Sequence, residues 1–192
     1  MKSMVSLPFR TLEKHFIAEQ LASGSFFVRE GEGDGPGVDV DGFLHYSLSV
    51  QNRRKSRVGQ AFENHVEHLF VSRNVRFDRA KVTENNSRPD FIFPGITEYH
   101  DDAFNAALLT MLGVKSTLKD RWRQVLAEAE RISQKHLLTL QAAISENQTN
   151  EMQSHNLKLV VPSAISGSYS EKQQKWLMSM DDFVQLVLAR QG

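Results

Sequence analysis

The chain has 192 residues, enough for one domain with a sizeable core. Apolar residues make up 40% and charged residues 24%, a globular balance that excludes a disordered, fibrous or membrane-spanning chain. Cysteine is absent, which excludes a disulfide framework, a thiolate nucleophile and a Cys-ligated zinc; formal net charge is zero, so any affinity for a polyanion must come from local clustering. Met1 to Arg10 lacks the apolar core of a signal peptide, and a cytoplasmic location without membrane contact is expected.

In chain order, residues 10–22 are predicted helical, with Leu12, Phe16, Ile17 and Leu21 on one face. Gly31 to Gly37 alternates glycine with acid. It reads as a mobile loop and not as a phosphate-binding one, because no Gly-Lys-Ser/Thr follows. Residues 43–50 suit a short helix or strand. Val58, Phe62, Val66, Leu69 and Phe70 recur at helical spacing over residues 58–73. Strands are predicted near 80–84, 90–94 and 111–116. A helix is predicted over 119–133, with Ser116 or Thr117 as cap and Trp122, Leu126, Ala129 and Ile132 or Ser133 as its buried stripe. A strand at 136–140, a helix at 146–155, a strand at 157–161 and an amphipathic helix over 171–190 complete the order. Alternating strands and helices after residue 111 imply an α/β fold with a partly parallel sheet.

The chemistry concentrates at Asp90 and Lys115. Asp90 opens the apolar run Phe91-Ile92-Phe93, and Lys115 closes Met111-Leu112-Gly113-Val114. Adjacent strands would set carboxylate and ammonium side by side. Phosphodiester hydrolysis needs that pair: an anion to hold a divalent metal, and a cation to orient water and offset phosphate charge. Taken alone, such a pair is more often a structural ion pair. Glu128 follows Lys115 by thirteen residues, and a right-handed crossover would carry it back across the sheet. By itself it is a solvated helix-face glutamate, and so is Glu63 on the earlier helix. Together Asp90, Glu128 and Glu63 could hold one or two hard cations through oxygen. Cations cluster at Arg53, Arg54, Lys55 and Arg57, and again at Lys115, Lys119, Arg121 and Arg123. The first run is either a solvated turn or a reader of guanine edges; Arg121 and Arg123 suit phosphate or a neighbouring helix, and Trp122 suits packing.

Six separated blocks resemble the catalytic domain of EcoRII-type restriction endonucleases: Asn52 to Arg57, Ser87 to Pro94, Tyr99 to Asp101, Met111 to Lys115, Lys119 to Gln124 and Leu157 to Ser163. The resemblance covers roughly residues 50–190. It implies a restriction-endonuclease-like PD-(D/E)XK fold, a central mixed sheet flanked by helices. Asp90 would be the metal-binding carboxylate and Lys115 the catalytic lysine. Gly113 occupies the place of the general pattern's second acid, and this branch supplies that acid from the next helix, at Glu128. Glu63 matches a further acid near a second metal; Tyr99 and Lys119 match residues of the family's active site. Arg53, Arg54, Lys55 and Arg57 fall in the recognition region, which in the family reads CC and GG flanking a central A·T pair.

The expectation is therefore a Mg²⁺-dependent type II restriction endonuclease. It would bind double-stranded DNA as a homodimer, beside a cognate methyltransferase. A repair or nicking endonuclease on the same fold, and a silent DNA-binding module, remain alternatives. Residues 1–192 are expected to form one catalytic domain, 1–50 being helix and Gly-rich loop and 51–192 the nuclease core. Fifty residues leave no room for an effector DNA-binding domain, so a bare module independent of a second DNA copy is expected.

Overall fold

The computed structural model describes residues 40–118 and 121–192. The expected helix at 10–22 and the glycine loop at 31–37 lie outside the described residues. The chain divides into two compact units, residues 1–55 and 56–192, with the boundary inside helix α1 (Val40–Ser72). Residues 43–50 are thus helical.

In the second unit six strands form one mixed sheet in sequential order: β1 (Asp78–Arg79), β2 (Phe91–Phe93), β3 (Thr110–Lys115), β4 (Lys135–Thr139), β5 (Leu157–Val161) and β6 (Met178–Ser179). β1, β2 and β3 pair antiparallel, and β3 to β6 run parallel. Between them lie α2 (Ile96–His100), α3 (Trp122–Leu126), α4 (Glu146–Ser154), α5 (Ser163–Ser166) and α6 (Glu171–Gln174). Helix α7 (Met180–Gln191) closes the chain.

Strand side chains alternate between faces, and both faces are covered, so the strands read as continuous apolar runs. Ile92, Met111, Leu137, Leu159 and Val161 join Trp122, Val125 and Met152 on one face. Phe91, Phe93, Leu112, Val114, Leu138 and Val160 join Val66, Phe70, Phe183 and Val187 on the other. There the Phe70 ring meets Phe91 at 5.3 Å and Phe93 at 5.1 Å, both edge to face. Such pairs contribute about 0.5–1.5 kcal/mol each beyond burial. The expected stripe Phe62, Val66, Leu69, Phe70 faces inward, while Val58 is exposed.

Three predicted elements differ. The strand expected at 80–84 is only Asp78–Arg79. Ala80 donates one further ladder bond to the Asp90 carbonyl, then enters the left-handed region (φ 52°) and ends the strand. The helix expected over 119–133 is described as helical only over Trp122–Leu126, without a side-chain cap. Trp122 and Val125 are its fully buried residues, Leu126 is only half-buried, and Ser133 is exposed. Beyond it Ala129 takes φ 51°, because side chains from other elements capture the backbone of residues 129–131. The helix expected over 171–190 is broken by β6. Two capping boxes restart it, Ser170 with Gln173 and Ser179 with Asp182. Trp176 and Leu177 pack against the first core in the gap between them.

Candidate active site

Asp90 precedes β2 and Lys115 ends β3. The antiparallel register that sets Phe91 opposite Leu112 brings the two together. Lys115 Nζ lies 2.7 Å from Asp90 Oδ2, with both side chains about one-sixth exposed. The Val114 N–H donates to the same oxygen at 2.6 Å. One carboxylate oxygen is thus fixed by backbone and ammonium; the other is left for a further ligand.

Gly113 explains how a third group arrives. A Cβ there would stand 3.1 and 3.2 Å from the two γ-methyls of Val125 and 3.4 Å from Leu137 Cδ1. The space of a strand side chain is filled instead by α3. That close approach carries Glu128, in the turn after α3, to the Asp90–Lys115 pair. Burial pushes the Glu128 carboxyl up to about 7, with Lys115 drawing it down, Asp90 raising it and Lys135 drawing it down. Its Oε2 is buried and has no hydrogen-bond partner among the described residues. An uncompensated buried carboxylate oxygen is costly unless a cation or proton completes it. Two carboxylates, one with an orphan oxygen, beside a lysine fit a hard divalent cation. Among the described residues no set of three His, Asp or Glu side chains is arranged to hold a metal without help. Water and substrate oxygens commonly complete such spheres.

Glu63 Oε2 accepts from Arg79 Nη2 at 2.8 Å, and Glu67 and Asn64 share the same guanidinium. Arg79 lies 5.8 Å over the Phe91 ring, on the sheet face opposite α3. Tyr99 is fully buried, and its hydroxyl donates to Glu84, at 2.7 Å from Oε1 and 2.6 Å from Oε2. Burial and that carboxylate raise the Tyr99 phenol above its usual range. Lys119 lies outside the described residues. Arg123 bonds Glu151 of α4 at 2.7 Å and lies over the Trp122 ring, a contact to a neighbouring helix. Trp122 is core packing. Arg121 is exposed. Arg53, Arg54 and Lys55, in the first unit, and Arg57, in the second, are all exposed on α1.

Sequence reasoning missed Glu84 and Lys135. Burial would raise Glu84, but the Tyr99 hydroxyl and backbone N–H groups outweigh it and hold the carboxyl below its usual range. Lys135 is buried, and burial lowers its ammonium below the usual range against the pull of Glu84, Glu128 and Glu130. The available signal was a lysine at the head of the apolar strand His136-Leu137-Leu138.

The family model described as EcoRII C terminal matches residues 9–184. The chain is 45% identical over 158 residues to the type II restriction enzyme EcoRII of Escherichia coli, covering 82% of this chain and 38% of that protein. It is 26% identical over 152 residues to the type II restriction enzyme SsoII of Shigella sonnei, covering 73% and 48%. It thus spans less than half the length of both curated relatives. A structure of metal-depleted Ecl18kI in complex with uncleaved DNA superposes with a TM-score of 0.72 at 23% identity, over 95% of this chain and 64% of that one. A second, with modified DNA, gives 0.64 at 24% identity, over 75% and 48%. These likenesses establish a restriction-endonuclease fold, and no helix among the described residues is long and apolar enough to cross a membrane. By the extent of the family match and the identity to EcoRII, the chain belongs to the EcoRII C-terminal family.

Proposed function

We propose that the protein is a type II restriction endonuclease that cleaves both strands of DNA in a Mg²⁺-dependent reaction. The observation that carries the reading is the juxtaposition of Asp90 and Lys115 at 2.7 Å with a buried, unpartnered Glu128 oxygen beside them. Asp90 and Glu128 would hold the cation, which supplies a water of lowered pKa and offsets charge on the scissile phosphate. Lys115 has its ammonium anchored by Asp90 and directs its remaining hydrogens toward the attacking water and the phosphate. Glu63 would serve a second cation only by exchanging Arg79 for it. The exposed cations at 53–57 would read a short CC/GG-flanked site with a central A·T pair, the arginines by forked donation to guanine. A near-palindromic site is matched most simply by a homodimer with one cut per subunit. The module would work in the cytoplasm beside a methyltransferase that protects the host's own sites.

The test is cleavage of a sequenced plasmid. Discrete double-strand fragments are expected with Mg²⁺ or Mn²⁺, and none with EDTA. Glu128→Ala should abolish cutting while site-specific binding in Ca²⁺ persists. Full activity in chelator would refute the mechanism; nicked circles would refute double-strand cleavage.

A further inference from the structure

Resting on the reading of Glu128 as a metal ligand, we propose that Glu84 and Lys135 are positioning residues that fix the turn bearing Glu128 at the height of the Asp90–Lys115 pair. The Glu128 side chain does not fix itself, since Oε2 has no partner among the described residues. Its location is set by the backbone on either side. On the near side, the Glu128 N–H donates to the Val125 carbonyl at 3.2 Å, the last bond of the α3 spiral. On the far side the chain leaves helical geometry at Ala129, whose φ of 51° is sparsely populated for a residue with a Cβ and persists only when its surroundings hold it.

Those surroundings are a clamp from three separate elements. Lys135, at the head of β4, donates to the Ala129 carbonyl. Glu84, in a 3₁₀ turn (Glu84–Asn86), accepts from the Glu130 N–H at 3.3 Å. The Tyr99 hydroxyl accepts from the Arg131 N–H at 3.3 Å while donating to Glu84. Arg131 returns its guanidinium to the carbonyls of Tyr99 and Phe104. The Ala129 carbonyl and the N–H groups of Glu130 and Arg131 are therefore each held by a side chain from another element. Lys135 is 6% exposed, and a buried ammonium is retained only where its bonds outweigh its lost hydration. Here it donates to the carbonyl next to the proposed ligand. Groups that orient a metal ligand from behind characteristically change metal affinity by about 10–100-fold.

The experiment uses the full chain, with Mn²⁺ binding followed by electron paramagnetic resonance on the complex with a DNA duplex carrying its site. Lys135→Met keeps the stem and removes the donor. Glu84→Leu keeps the apolar bulk and removes both acceptor oxygens. In each, half-saturation by Mn²⁺ should rise about tenfold or more, while metal-free DNA binding and the urea midpoint stay near the parent's. Lys135→Arg, which restores a donor, should recover most of the affinity. Should Lys135→Met fail to fold, Glu84→Leu carries the test. Parental Mn²⁺ affinity in the folded variants, with Glu128→Ala impaired, would overturn the positioning role alone. Parental affinity in Glu128→Ala would overturn the ligand reading and the positioning role with it.

Discussion

Replacing Gly113 by alanine places one methyl where the structure leaves no room. The new Cβ would stand 3.1 and 3.2 Å from the Val125 γ-methyls and 3.4 Å from Leu137 Cδ1. β3 cannot retreat, because it is paired with β2 on one edge and β4 on the other; Leu112 lies opposite both Phe91 and His136, and Gly113 opposite Leu137. The strain must be taken by Val125, which is fully buried, or by a lift of α3. Overpacking of this kind costs about 1–3 kcal/mol. A lift of α3 also moves Glu128, three residues on, and displacement of a catalytic group by about 1 Å can cost about 100-fold in rate. Urea unfolding should show the loss of stability with an unchanged slope. Cleavage normalised to the folded fraction should fall further than stability accounts for. Adding Val125→Ala removes both methyls that the new Cβ meets. The double variant should therefore be more stable than the sum of the singles by about 0.5–3 kcal/mol. Parental stability and turnover in Gly113→Ala would refute the packing argument.

The basic run and a buried histidine give two further tests. If Arg54, Lys55 or Arg57 reads bases, its alanine variant should lose about 1–3 kcal/mol of discrimination at one base-pair position; uniform loss on all sequences, with a shallower salt dependence, would reduce the run to phosphate contacts. The His136 imidazole is pushed down to about 4 by burial and then by the Arg190 guanidinium; the Met111 backbone lies near, but neither ring nitrogen reaches hydrogen-bond geometry. The unfolded chain takes up this proton near pH 6.5 and the folded chain only near 4, so stability present above about pH 6.5 is lost as pH falls through that window, by about 3 kcal/mol. The urea midpoint of His136→Leu should be flatter across that window than the parent's, and an unchanged slope would refute the assignment.

The sheet was legible where its strands are apolar runs bounded by punctuation. Phe91 to Phe93, Met111 to Lys115 and Leu157 to Val161 are strands within a residue of expectation, because burial on both faces writes itself as unbroken hydrophobicity. β6 was not legible. It is two residues, Met178 and Ser179, inside an otherwise helical pattern, and only its pairing with Val160 and Val161 makes it a strand. The serines at 170 and 179, each with an acceptor three residues on, marked the two helix starts that flank it. Val82 is the lone apolar residue between Ala80 and Glu84, too little to sustain the strand expected there.

The candidate site divides along the same line. Asp90 and Lys115 sit on strands, and a two-residue period with fixed pairing makes their meeting computable from sequence. Glu128 sits past a helix end whose geometry is imposed from outside. Its approach depends on the missing Cβ at Gly113, and its turn is held by Glu84, Tyr99 and Lys135, residues 44 and 29 positions before it and 7 after. No local pattern encodes such a dependence: a right-handed crossover only made the approach of Glu128 feasible, and the resemblance to a family singled it out. Tyr99 shows the converse. Resemblance puts it at the active site, and no sequence pattern announced that its buried hydroxyl donates to Glu84. The same hydroxyl accepts from the Arg131 N–H, behind the turn that bears Glu128.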